Sequence, residues 1–109
     1  MFKRRDGMFR VDRIYVNNKQ FYTYTIKLPK TTLLIIANDV GFMSCRAIDV
    51  DVFDSLPHLK EREVVCACAA GVKTIEELLN APLVKVTEAA KARGIHVGMI
   101  VREALNYLE

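Results

Sequence analysis

Three cysteines, Cys45, Cys66 and Cys68, and two histidines, His58 and His96, are the residues best suited to nucleophilic, metal or acid–base chemistry near neutral pH. Cys45 and His96 form the candidate pair: a thiolate attacks, and an imidazole takes its proton. Against this, a strand through Phe42 to Ile48 puts Met43, Cys45 and Ala47 on one face and Arg46 on the other. The thiol then sits among small apolar neighbours, where it packs and is inert. Cys66 and Cys68 lie two apart in VVCACAA, on one strand face, a spacing poor for a disulfide. Two thiolates do not complete a tetrahedral zinc site, and CxC lacks the CxxC spacing of zinc ribbons, so no metal is assigned.

The polar candidates are spread along the chain. Gly71-Val72-Lys73-Thr74 follows an apolar strand and opens a helix, like a fragment of a phosphate-binding loop. The glycine five residues before a GK[ST] triplet is missing, as is the triplet, so nucleotide hydrolysis is not supported. Backbone N–H groups at that helix start, with Lys73 beside them, suit a phosphate or carboxylate. The same groups suit a capping box in which Thr74 accepts from the N–H of Glu77 and Glu77 reaches back. His96 stands between Gly94 and Gly98, just before the last predicted helix, as a neutral base or a cap. Asp49 caps a helix or lines a pocket, and Arg46 and Arg102 complete the candidate ligand-binding set. His58 reads as a surface loop residue. No GxSxG, HExxH, GxGxxG or EF-hand loop is present, and no cofactor is expected.

These residues must be held by a small fold. The chain has 109 residues, 51% of them hydrophobic and 27% charged, as a globular domain requires. Strands are predicted over Phe9 to Val16, Gln20 to Leu28, Thr32 to Ala37, Phe42 to Ile48 and Val64 to Ala70. Asn17-Asn18-Lys19 turns the first pair, and Asn38 to Gly41 the second. A short helix from Asp49 or Asp51 is stopped by Pro57. Helices are then expected over TIEELLNA, from Pro82 to Gly94, and from Val97 to Leu108. The resulting order is β-β-β-β-α-β-α-α-α. It predicts an α+β fold: a mostly antiparallel sheet of about five strands, with C-terminal helices on one face. The domain spans residues 9–109, after a flexible basic arm at residues 1–8.

The start, MFKRRDG, is basic, but the FRVDRIYV that follows alternates charge and cannot be a signal-peptide core. With no run near the ~20 apolar residues of a membrane helix and an odd cysteine count, the expectation is a cytoplasmic protein without a disulfide framework or membrane partner. A net charge of +3 is too small to point to nucleic acid, which is not an expected partner.

Four ordered segments carry a further signal: KLPKTTLL, GFMSCRAIDV, GVKTIEELLNAPL and GIHVGMIVREAL. Together they resemble the YunC-like family of small bacterial and archaeal proteins, covering nearly the whole chain from Lys27. Cys45, Ala47, Asp49, Gly71, Thr74, His96, Gly98, Met99, Arg102 and Glu103 match that family's pattern. Arg46 and Val101 stand where it has glycine, Ser44 where it has methionine and Lys73 where it has arginine. The resemblance implies a compact α+β fold and no particular reaction. It also raises the expectation that Cys45, Asp49, His96 and Arg102 lie near one another. The reading that follows is a homo-oligomeric binding module for a small, anionic ligand or a protein partner. The alternative is a cysteine-dependent enzyme or thiol transfer protein using Cys45 with His96. The oligomer rests on a sheet with two apolar faces and too few helices to cover both.

Overall fold

The structure is a computed structural model and describes residues 9–109; the basic arm at residues 1–8 lies outside the described residues. Six strands form one sheet in chain order: β1 (Phe9–Val16), β2 (Lys19–Leu28), β3 (Thr31–Ala37), β4 (Gly41–Cys45), β5 (Val65–Ala69) and β6 (Lys85–Val86). Every neighbouring pair is antiparallel except β4 and β5, which run parallel. The crossover between them carries two short helices, α1 (Val52–Ser55) and α2 (Pro57–Lys60). After β5 come α3 (Ile75–Leu79), α4 (Glu88–Ala92) and α5 (Val101–Ala104), with a closing turn of 3-10 helix at Leu105–Tyr107.

The β1–β2 hairpin turns on Asn17 and Asn18, both at positive φ (53° and 67°), a left-handed conformation that asparagine tolerates better than most residues. At the parallel junction Gly41 lies so close to β5 that a Cβ there would collide with the Val65 carbonyl oxygen. Only glycine lets the two backbones meet at that point.

The main core lies on one sheet face. Phe21, Leu34, Ile36, Met43 and Ala67 pack there against Leu78 of α3, Ala90 of α4 and Ala104 of α5. On the other face a smaller cluster of Val50, Cys66 and Cys68, with Phe42 and Phe53 beside it, lies under α1. Phe42 and Phe53 meet edge to face, 6.1 Å between centroids. The α+β class, the mostly antiparallel sheet and the C-terminal helices on one face follow the sequence reading.

Four local expectations differ. Strand β4 ends at Cys45, not Ile48, because the Ile48 N–H turns back to donate to the Cys45 carbonyl. Pro57 ends the preceding helix as expected, α1 stopping at Ser55 with Leu56 extended, but it also starts a second short helix, α2, as its first residue. Pro82 starts no helix: it bridges Ile100, and the N–H groups of Leu83 and Val84 donate to Met99 and Cys68. Those long-range bonds consume the groups a helix would use, so the segment extends into β6 and α4 begins only at Glu88. The last helix begins at Val101, not Val97, since Gly98 sits at φ +96° and donates to the Leu83 carbonyl. Among the described residues, no helix is long and apolar enough to cross a membrane.

Candidate functional site

Parallel pairing of β4 with β5 decides where the thiols go. Phe42 faces Cys66 and Ser44 faces Cys68 on one side of the sheet, while Cys45 and Ala69 share the other. Cys45 is therefore back to back with the other two cysteines, and no three-residue metal-ligand cluster exists among the described residues. Its Sγ accepts from the Leu34 N–H at 3.4 Å and donates to the Thr32 carbonyl at 3.6 Å. Since the β3–β4 ladder stops at Ile35 and Ser44, the thiol continues it with side-chain bonds. Cys45 is 4% exposed.

Burial pushes the Cys66 thiol up to about 12, with the negative charges of Asp54 and Cys68 adding to it and a Thr87 hydrogen bond opposing. The Cys68 thiol is also raised, first by burial; the Arg46 guanidinium opposes this and Asp51 reinforces it. Both stay protonated at neutral pH and are poor nucleophiles. Ser44 Oγ, next to Cys68 in register, is buried with no hydrogen-bond partner among the described residues.

The remaining sequence candidates do not converge. His96 is exposed in the turn between α4 and α5 rather than at a helix start, its Nδ1 3.1 Å from the neighbouring Val97 carbonyl. Lys73 and Thr74 sit at the start of α3, and the capping box forms there. The Glu77 N–H donates to Thr74 Oγ1 at 3.1 Å, and Glu77 Oε1 accepts from the Lys73 N–H at 2.7 Å. A protein carboxylate thus already occupies the position an anion would take. Arg102, on α5, donates to Glu76 of α3 and to Asn80, which caps the C-terminal end of α3, each at 3.4 Å. A shallow depression of about 530 Å³ beside Gly71 holds Lys73, Glu76 and Glu77 together, so its charge is mixed. Arg46 and Asp49 are exposed after β4, and Asp49 Oδ1 accepts from the Asp51 N–H. No hydrogen bond or ion pair joins any two of Cys45, Asp49, His96 and Arg102.

A cleft of about 480 Å³ opens instead at the sheet edge, between α1–α2 and α4. Its apolar wall is Phe53, Val65, Ala89 and Ala92; its charged lining is Asp54, Lys60, Glu63, Glu88 and Arg93. The local reason is that β6 pairs only with Ala67 and Cys68, so the first half of β5 has a strand neighbour, β4, on one side only. Thr87 closes that gap. Its N–H donates to the Cys66 carbonyl at 3.0 Å, and its Oγ1 accepts from the Cys66 N–H at 3.2 Å. The two cleft walls are tied by Asp54, whose carboxylate accepts from the Glu88 N–H at 3.1 and 3.3 Å.

Several charges in the cleft are already engaged. Glu88 pairs with Lys91, and Arg93 donates to the carbonyls of Tyr107 and Glu109. Lys60 and Glu63 have no such partner among the described residues, and Glu63 adopts φ 50°. Among the described residues the cleft therefore offers one uncommitted charge of each sign beside an aromatic wall, and its lining holds no cysteine, serine or threonine. The sequence reading missed it because its walls come from residues 53–65 and 88–93, which share no motif. The only trace is the pairing of small residues, Ala89 and Ala92, at helical spacing.

The chain matches the family described as "Domain of unknown function (DUF1805)" over residues 44–108. It is also 46% identical over 98 residues to "Uncharacterized protein YunC" of Bacillus subtilis (strain 168), covering 90% of this chain and 95% of that protein. The chain belongs to the DUF1805 family. The resemblance read from the four segments is thereby confirmed. The DUF1805 match spans β4 from Ser44 to the C-terminal turn, and so contains both walls of the cleft. A solved structure, that of a protein of unknown function, TA1206, from Thermoplasma acidophilum, superposes with a TM-score of 0.82 and covers 94% of each chain. At 22% identity, that likeness shows a shared fold.

Proposed function

We propose that this chain is a homo-oligomeric binding module that holds a small molecule in the cleft between α1–α2 and α4. The observation that carries the reading is the cleft itself. Its volume of about 480 Å³ lies within the usual ligand-site range, and its wall is apolar with a few polar groups. The charges favour a zwitterion with an apolar body, such as a free apolar amino acid, over the simple anion first expected. Its ammonium would meet Glu63 and its carboxylate Lys60. No observation favours the cysteine enzyme, since Cys45 is bonded to backbone groups and His96 is exposed elsewhere. Three free thiols support a reducing, cytoplasmic setting.

Thermal unfolding in the presence of L-leucine, L-phenylalanine, L-glutamate or L-arginine tests this. At a concentration of about 100 Kd, a bound ligand adds about 2.7 kcal/mol, which is a rise in Tm of roughly 10 °C or more. L-leucine or L-phenylalanine is expected to give it, and Lys60→Gln and Glu63→Gln to abolish it without moving the unliganded Tm. Absence of any shift with all four amino acids at millimolar concentration refutes the ligand class.

A further inference from the structure

The half of the sheet that α1 does not reach is bare. Register places Val11, Tyr24 and Ile35 in one cross-strand row and Phe9 and Ile26 in the next, on the face away from the main core, while Leu33 beside Ile26 packs partly against that core. Among the described residues no helix cluster takes them in: the cluster under α1 includes only Phe42 and the β5 cysteines from the sheet. Phe9 is 52% exposed, Val11 45% and Tyr22 41%. Across β1, β2 and β3 the face carries a single charged residue, Arg13.

We propose that this face is the contact surface of a twofold dimer, in which two copies of the chain stack their β1–β3 faces. The inference rests on the oligomeric half of the reading above and names the surface. Area argues for it. Five apolar side chains on this face, Phe9, Val11, Tyr15, Tyr22 and Leu28, are each about half exposed; at roughly 100 Å² each they present about 500 Å². That is at the upper end of what a monomer carries openly and most of the ~800 Å² each partner gives to a standard interface. Charge argues for a second copy as the occupant. A face with one charge offers nothing to steer or select a charged partner, whereas flat apolar rows are complementary to themselves under a twofold axis. Two sheets stacked this way bury their inner faces as in a β-sandwich, about 10 Å apart. On the dimer's outer sides both edge clefts stay open, because α1, α2 and α4 lie at the other end of the sheet order.

Sedimentation velocity on the full chain and on Val11→Glu and Tyr22→Glu tests the proposal. The wild type is expected at twice the 12.4 kDa chain mass in the micromolar range. Each glutamate is expected to weaken the dimer by about a hundredfold or more, with an unchanged far-ultraviolet spectrum. Leu56→Lys, an exposed apolar position on the other half, is expected to leave the mass unaltered. If a glutamate variant fails to fold, Val11→Gln and Tyr22→Gln, which add no charge, read the same shift in dimer dissociation. A wild type that stays monomeric at 200 μM overturns both this surface and the oligomeric reading. A wild-type dimer indifferent to Val11 and Tyr22 overturns the surface alone.

Discussion

Replacing Thr87 with valine keeps the shape of a side chain that is 1% exposed and removes one oxygen. That oxygen accepts from the Cys66 N–H at 3.2 Å and, as the N-cap of α4, from the Ala90 N–H at 3.3 Å. Its own proton goes to the Val64 carbonyl at 2.9 Å or the Cys66 carbonyl at 3.2 Å. Losing a cap of this kind costs about 1 kcal/mol. Leaving the buried Cys66 N–H unpaired costs about 1–3 kcal/mol more, so the variant should lose about 3 kcal/mol in all. For a chain of this size that lowers Tm by roughly 12–20 °C, a large part of the stability typical of small domains. Thr87→Ser keeps every bond and loses one buried methyl, about 1 kcal/mol. Urea unfolding followed by circular dichroism at 222 nm separates the two through the midpoint, provided the slope m is unchanged. The order expected is wild type, then serine, then valine. A valine variant as stable as the serine variant would refute the claim that this hydroxyl closes the sheet edge beneath the cleft.

Four further outcomes follow from the same geometry. Ser44→Ala should be neutral or stabilising by up to about 1 kcal/mol, the opposite sign to Thr87→Val, because Ser44 Oγ is buried without a partner; a loss above that in the same urea assay contradicts it. Native protein at pH 8 should react with iodoacetamide at none of its three cysteines, and at all three once unfolded, as read by mass spectrometry. Because the Cys66 pKa rises from 9.0 to about 12 on folding, the unfolded chain ionises first. The Cys66 contribution to stability is therefore full below pH 9 and is lost as pH climbs from there towards 12, and Cys66→Ala should flatten that fall in urea titrations at pH 8, 9.5 and 11. Asp54→Ala should cost about 1 kcal/mol by freeing the Glu88 N–H and should also weaken amino-acid binding, measured by calorimetry; unchanged binding would show that the tie does not shape the cleft.

Much of the fold was legible because local chemistry and burial pointed the same way. The Asn17-Asn18 turn, the two doubly apolar strands around Leu34 and Ala67, and the Thr74–Glu77 capping box all rest on residues close in sequence. Where local preference met a competing long-range bond, it lost. Leu83, Val86 and Ala90 keep the helical spacing and are all buried, yet Leu83 and Val84 bond to Met99 and Cys68 and the segment stays extended. The Pro82 start signal and the Val97 to Ile100 stripe failed for the same reason, since a backbone N–H donates once and tertiary partners claimed it first.

The candidate site divides along the same line. By itself the sequence determined an α+β domain of this family, thiols without a metal pattern, and a capped α3. It also led to the expectation of a sheet with more apolar surface than its helices could hide. Only the tertiary structure decided that β4 and β5 run parallel, which puts Cys45 on the opposite face from Cys66 and Cys68. Only the tertiary structure ended β6 after two residues and so opened a cleft between segments more than twenty residues apart. Side-chain alternation states which residues share a face of one strand. Which strand comes next, in which direction and for how long depends on hydrogen bonds between distant residues, and those place the site.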